Sequence, residues 1–200
     1  MMTNNIFNQM AKEYDSEERV ALANIIANEV KEELDDSKDK SLLDYGGGTG
    51  LVSLQLADLV DSVTLVDASK EMVNVAESKI SELEIQNAMA RQADYTNEMP
   101  EPQADIILVS LVLLHIPETK NILQSLYYAL NPGGKVIIVD FDKKEDISHP
   151  KVHNGFTHGD LNNKLATVGF EGTKIHTFYH GEKVFMKQDA SMFIATSRKK

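Results

Sequence analysis

Residues 41–50 read SLLDYGGGTG: a short apolar run, an acid, an aromatic and then four glycines among five residues. Glycine loses more backbone freedom on folding than any other residue, so such a cluster is kept where the main chain turns sharply or lets another group come close. Ser41–Tyr45 predicts a short buried strand, and LVSLQLADLV, from Leu51, returns to helical spacing. Strand, glycine turn and helix in succession open a crossover unit.

The same alternation continues along the chain. SVTLVDAS (62–69) is alternating and β-branched, and KEMVNVAESKISELE (70–84) places Met72, Val75, Ala76, Ile80 and Leu83 on one side of a helix. NAMARQAD (87–94) reads as a weaker strand, ADIILVS (104–110) as a strong one, ETKNILQSLYYAL (118–130) as a helix and GGKVIIVDF (133–141) as a further strand. Upstream, Val20, Leu22, Ala23, Ile26, Ala27 and Val30 recur at helical intervals between Ser16 and Leu34. Downstream, LNNKLATVGF (161–170) is a helix with Gly169 as its C-terminal cap. GTKIHTFYHGE (172–182) and DASMFIATSRK (189–199) are strands in succession, expected to pair antiparallel. The prediction is an α/β Rossmann-like three-layer sandwich: a seven-stranded, mostly parallel sheet with an antiparallel last strand and a short N-terminal helical cover.

Composition narrows the function classes. The 200 residues, 42% hydrophobic, suit one domain with a full core. A net charge of −11 opposes nucleic-acid binding, for which a basic patch is the usual footprint. With no cysteine, disulfides, thiol nucleophiles and cysteine-ligated metals are excluded together. The opening MMTNNIFNQMAKEYDSEER lacks a basic start followed by an apolar stretch, and the longest apolar run, IILVSLVLLHI from Ile106, falls far short of the roughly 20 residues of a membrane-spanning helix. A cytoplasmic protein with neither membrane nor nucleic-acid partner is expected.

In a doubly wound sheet, ligands bind beyond the carboxyl ends of the strands, where LLDYGGGTG lies. Amide groups opening the helix after Gly50 favour an anionic group. About 20 residues beyond Gly46, Asp67 ends its strand where an acid accepts hydrogen bonds from a ribose. No lysine follows Gly50, which argues against a phosphate loop of the ATP-binding type, and Leu51 stands where a dinucleotide fingerprint requires its third glycine. The glycines instead alternate at positions 46, 48 and 50, with Asp44 two residues ahead. An acid so placed repels a pyrophosphate and suits an adenosine ligand that carries an ammonium group.

These residues resemble the first motif of the class I S-adenosylmethionine-dependent methyltransferases, hydrophobic-hydrophobic-D-x-G-x-G-x-G, with Tyr45 and Gly47 at its variable positions. VDAS with Asp67 is similar to the family's acid after the second strand, and QADYTNEMP (92–100) to its G-D-A-x-x-L-P segment, with Ala93 in place of the usual glycine. ADIILVSLVLLHIPE (104–118) resembles its fourth strand and following loop, and LNPGGKVIIVDF (130–141) its fifth strand. The five segments occur in the family's order over nearly the entire chain, which looks most like the small, stand-alone type 11/12-like members.

The resemblance implies transfer of a methyl group from S-adenosyl-L-methionine to a small-molecule acceptor, leaving S-adenosyl-L-homocysteine. It assigns residues 1–200 to one domain: an N-terminal cover over 1–38, a cofactor core over 41–142, and an acceptor-side loop, helix and strand pair over 143–200. Its cofactor-binding residues map to Asp44, Gly46, Gly48, Gly50, Asp67, Ala68, Asp94, Tyr95 and Ser110, with Tyr14 closing from the cover. His115 is the candidate base near the acceptor, since histidine takes up protons near neutral pH. His153, Phe156 and Tyr179 are candidates for lining the acceptor pocket. His149, His153 and His158 lie close in sequence, but Pro150 interrupts a helix there and no acidic cluster accompanies them, so no metal site is expected. Two alternatives stay open: an NAD(P)-dependent oxidoreductase on the same architecture, and a non-catalytic S-adenosylmethionine-binding protein.

Overall fold

A computed structural model describes residues 14–94, 103–145, 153–185 and 187–200. The chain divides into two compact units, Met1–Glu98 and Met99–Lys200. The described residues include seven strands.

In the first unit, α1 (Glu17–Glu32) starts where the Ser16 side chain accepts a hydrogen bond from the Arg19 amide, with Glu17 and Glu18 in its first turn. It buries Ala23, Ile26, Ala27 and Val30, the stripe its periodicity predicted. β1 (Ser41–Tyr45), β2 (Ser62–Asp67) and β3 (Ala88–Gln92) pair in parallel, Leu43 opposite Thr64 and Leu65 opposite Ala90. Between β2 and β3, α2 (Lys70–Glu82) is capped by Ser69, whose hydroxyl accepts from the Met72 amide at 3.2 Å. It buries Met72, Val73 and Ala76, whereas Leu83, expected on the same face, lies past the helix end and is 64% exposed.

The segment after the glycine turn corrects the sequence reading. Ser53–Leu59 winds as a 3-10 helix and not as an α-helix. Its buried residues, Ser53, Leu54, Leu56 and Ala57, pair at a spacing of three, and that spacing aligns side chains in a three-residue turn.

The second unit holds β4 (Ala104–Ser110), a 3-10 turn (Leu113–His115), α3 (Thr119–Ala129), β5 (Leu130–Phe141), α4 (His158–Val168), β6 (Glu171–Phe185) and β7 (Gln188–Arg198). β4 and β5 are parallel, while β7 runs antiparallel to both β5 and β6. β5 buries an unbroken run from Val136 to Phe141, as a central strand covered on both faces must. Gly169 ends α4 at φ 114°, its amide donating to the Leu165 and Ala166 carbonyls as the sequence predicted.

Candidate functional site

The glycine turn leaves β1 with Gly46, Gly48 and Gly50 at φ of 71°, 57° and 78°, a region nearly closed to other residues. The amides of Gly46 and Gly47 both donate to the Val66 carbonyl, at 2.8 and 3.2 Å, which ties the turn to the end of β2. Gly47, at a variable position of the motif, is as constrained as its neighbours. A Cβ there would stand 2.7 Å from Asp44 Cγ and 2.7 Å from Leu65 Cγ. At Gly48 the space is open: the nearest atom to a Cβ would be Tyr14 Cε1, at 4.0 Å.

Two carboxylates face this turn. Asp44, 2% exposed, has its pKa pushed up to about 7 by burial, an effect that the nearby Ser53 hydroxyl opposes and the Asp67 charge reinforces. The Ser53 hydroxyl is itself buried and makes no full hydrogen bond among the described residues. No backbone amide donates to Asp44 among the described residues. Asp67 is anchored differently: Oδ2 accepts from the Gly48 amide at 2.9 Å and Oδ1 from the Ser69 amide at 2.8 Å. Burial raises its pKa and these two bonds oppose the rise. A carboxylate accepts about four hydrogen bonds, so Asp67 keeps capacity for a further donor. Ala68 follows it half-buried, and the Gln92 amide group of β3 donates to the Ala68 carbonyl at 3.0 Å. Asp94 is half-buried just beyond β3. Tyr95 and His149 lie outside the described residues.

The second unit gathers its own candidates at the carboxyl ends of β4 and β5. Ser110 ends β4 half-buried, and Leu111 follows with φ 55°, its amide held by the Val139 carbonyl at 2.8 Å. The turn carrying His115 is fixed by Asp140, which is fully buried at the end of β5. Asp140 accepts from the amides of Phe141 (2.8 Å) and Leu114 (3.2 Å), and also from that of Leu113. Burial nonetheless pushes its pKa up to about 7. Burial lowers the pKa of His115, which favours its neutral imidazole over the charged form.

The pocket candidates divide. His153 is tied to the same turn: its amide donates to the Leu114 carbonyl at 2.8 Å and its Nε2 to the Ile116 carbonyl at 2.9 Å, leaving Nδ1 as the acceptor nitrogen. Phe156 is buried edge-on against Phe193, with ring centroids 6.5 Å apart, and its backbone pairs with that of Phe141 and Lys143. Its ring also lies 5.6 Å from that of His153, centroid to centroid. Tyr179 sits half-buried on β6 opposite Met192. Sequence reasoning did not single out the Asp142 cluster, where His158 Nε2 donates to Oδ1 at 2.9 Å and the Thr177 hydroxyl to Oδ2 at 2.7 Å, docking the start of α4 onto β5 and β6. Among the described residues no group of three or more His, Cys, Asp or Glu side chains is arranged to hold a metal ion.

Against known families, the profile described as a methyltransferase domain matches residues 36–187. The chain belongs to this family. The class I S-adenosylmethionine-dependent methyltransferase membership implied by the motifs stands. Among curated proteins, the methyltransferase domain is 28% identical over 121 residues to the ubiquinone/menaquinone biosynthesis C-methyltransferase UbiE of Vibrio vulnificus, covering 58% of this chain and 46% of that protein. The chain thus spans about half the length of the curated relatives it matches. Two solved structures share its fold. A SAM-dependent methyltransferase from Aquifex aeolicus superposes at TM-score 0.71 with 20% identity, covering 96% of this chain and 97% of that one. The DhpI–SAH complex superposes at 0.73 with 22% identity, covering 98% and 94%. Among the described residues, no helix of the methyltransferase domain is long and apolar enough to cross a membrane.

Proposed function

We propose that this methyltransferase domain transfers the methyl group of S-adenosylmethionine to a small-molecule acceptor. The observation that carries the reading is Asp44: a buried carboxylate without an amide donor among the described residues, beside a turn whose Gly48 leaves open space. A carboxylate so desolvated calls for a cation, and the ammonium of the methionine moiety is one. Asp67, with capacity left after its two amide bonds, would take the ribose hydroxyls, and Asp94 and Tyr95 the adenine side. Ser110 would stand beside the methionine portion. The buried charge of Asp44 and the open space at Gly48 support this reading.

When bound, the cofactor supplies a methyl group already activated by a sulfonium charge. The protein's own task is then to align the acceptor, which in favourable cases lowers the barrier by roughly 7–11 kcal/mol. Where the acceptor must lose a proton, His115 would receive it, and His153 and Tyr179 would line the approach. The acidic balance of the chain favours a metabolite acceptor over nucleic acid.

Calorimetric titration with S-adenosylmethionine and S-adenosylhomocysteine tests the reading, with micromolar binding expected; no heat at millimolar ligand overturns it. Stabilisation by NAD or NADP in its place would favour an oxidoreductase. Radiolabel carried from the methyl donor into a metabolite extract would separate an enzyme from a non-catalytic binder and would identify the acceptor.

A further inference from the structure

The side chain of Lys79, on α2, makes contacts that α2 itself does not require. Its Nζ donates to the Thr49 carbonyl at 3.0 Å and pairs with the carboxylate of Asp15 through Oδ2. The other oxygen of Asp15 accepts the Thr49 hydroxyl at 2.6 Å. Thr49 lies inside the glycine turn and is 1% exposed, so Asp15 is fixed to the one loop that forms the cofactor cradle.

The residue immediately before Asp15 is Tyr14, and it is held from the other side as well. Arg19 donates from Nη1 to the Tyr14 carbonyl at 3.1 Å and lies 4.1 Å over its ring, while the Ser16 amide donates to the same carbonyl at 2.9 Å. The ring stands over Gly48. Burial raises the pKa of its hydroxyl, Arg19 opposes the rise, and the charges of Asp67 and Asp15 add to it. Tyr14 therefore shares the field of the carboxylate assigned to the ribose.

We infer that Asp15, Lys79 and Thr49 form a latch holding Tyr14 as a wall over the glycine turn, which makes Lys79 a positioning residue for retention of the cofactor. The inference rests on the cofactor reading above. A single part-exposed ion pair adds little to global stability, but this one is joined to a buried hydroxyl and ends on the turn itself. Its effect is to keep one short segment ordered, and a wall that must move for the ligand to leave acts on the dissociation rate.

The test uses S-adenosylhomocysteine as probe, with its equilibrium constant and its dissociation rate measured for the full chain. Lys79→Met is expected to raise the dissociation constant by about tenfold, chiefly through faster release. Lys79→Arg, which keeps the charge and the donors, is expected to restore most of the affinity. Tyr14→Ala should weaken binding to the same degree, and adding Lys79→Met to it should weaken binding no further, because both changes act through one wall. Native affinity in Lys79→Met beside a lowered melting temperature would overturn the inference and leave a purely structural tether. Tighter binding would overturn it as well, since Tyr14 would then be obstructing the site. If the unaltered chain fails to bind the probe, the cofactor reading itself fails, and the latch with it.

Discussion

Two aspartates at strand ends, Asp44 on β1 and Asp140 on β5, are both buried and both pushed by burial to a pKa of about 7. Their partners differ. Asp140 receives the amides of Phe141, Leu114 and Leu113, so its charge is spent on shaping the turn that carries His115. Among the described residues Asp44 receives no amide and has the Ser53 hydroxyl beside it. Equal burial with unequal satisfaction separates the two residues, and the proposed function gives Asp44 a ligand as its missing partner.

Exchanging each for asparagine should pull the two apart. For Asp44→Asn, the pairing with a cationic ligand group is lost, and S-adenosylhomocysteine binding should fall by at least about 100-fold, or 3 kcal/mol. The free protein should become more stable, because the asparagine amide can donate to Ser53 and no charge remains buried. The sign follows from linkage. A carboxyl whose folded pKa is raised holds more protons folded than unfolded, so its contribution worsens as pH rises from about 4 to about 7 and stays unfavourable above. The gain from Asp44→Asn should therefore be about 1–3 kcal/mol at pH 8 and vanish below pH 4, as read by thermal melts across pH. Equal stability at pH 8 would mean that Asp44 is already compensated.

Asp140→Asn should act the other way. Whichever way the new amide turns, its NH2 group points at a backbone N–H, because each carboxylate oxygen of Asp140 already accepts one. A loss of about 2–3 kcal/mol in urea unfolding is expected, with cofactor affinity changed far less than in Asp44→Asn. A stabilised Asp140→Asn would erase the distinction between the two residues.

Gly47→Ala tests how closely Asp44 is confined. Its new methyl would meet Asp44 and Leu65, a core overpacking worth about 1–3 kcal/mol, and moving Asp44 aside should weaken ligand binding as well. Gly48→Ala meets only Tyr14, so it should retain stability better despite its φ of 57° and should act mainly on binding.

What could be read from the sequence followed its local order. Asp44, the alternating glycines and Asp67 are set by short spacings around two strand ends, and the α/β alternation placed both on one kind of sheet. Asp140 looked like one more residue of a buried strand, since the turn it holds lies 26 residues away in the chain. The ties from Thr49 to Asp15 and from Lys79 to Thr49 span 34 and 30 residues, and neither pairing has a periodic signature. The 3-10 winding of Ser53–Leu59 escaped because an apolar spacing of three fits an α-helical stripe almost as well. Phe156 lies buried between the rings of His153 and Phe193, a placement that aromatic character alone could not give.

The smallest effect is also the most specific. A cationic group pairs only with the ionised form of Asp44, and the free protein holds that proton up to a pH of about 7. Binding must then release a proton at lower pH, so affinity should weaken as pH falls below 7, by at most about tenfold per unit. Calorimetry at pH 6 in two buffers of different ionisation heat should record that release, and at pH 8 it should have vanished. Asp140 titrates in the same range, so the control is Asp44→Asn, whose residual binding should lose this proton release while every other group stays in place. If the variant releases the same proton as the native chain, the linkage belongs to another residue, and the contrast between the two buried aspartates would have to rest on their hydrogen bonds alone.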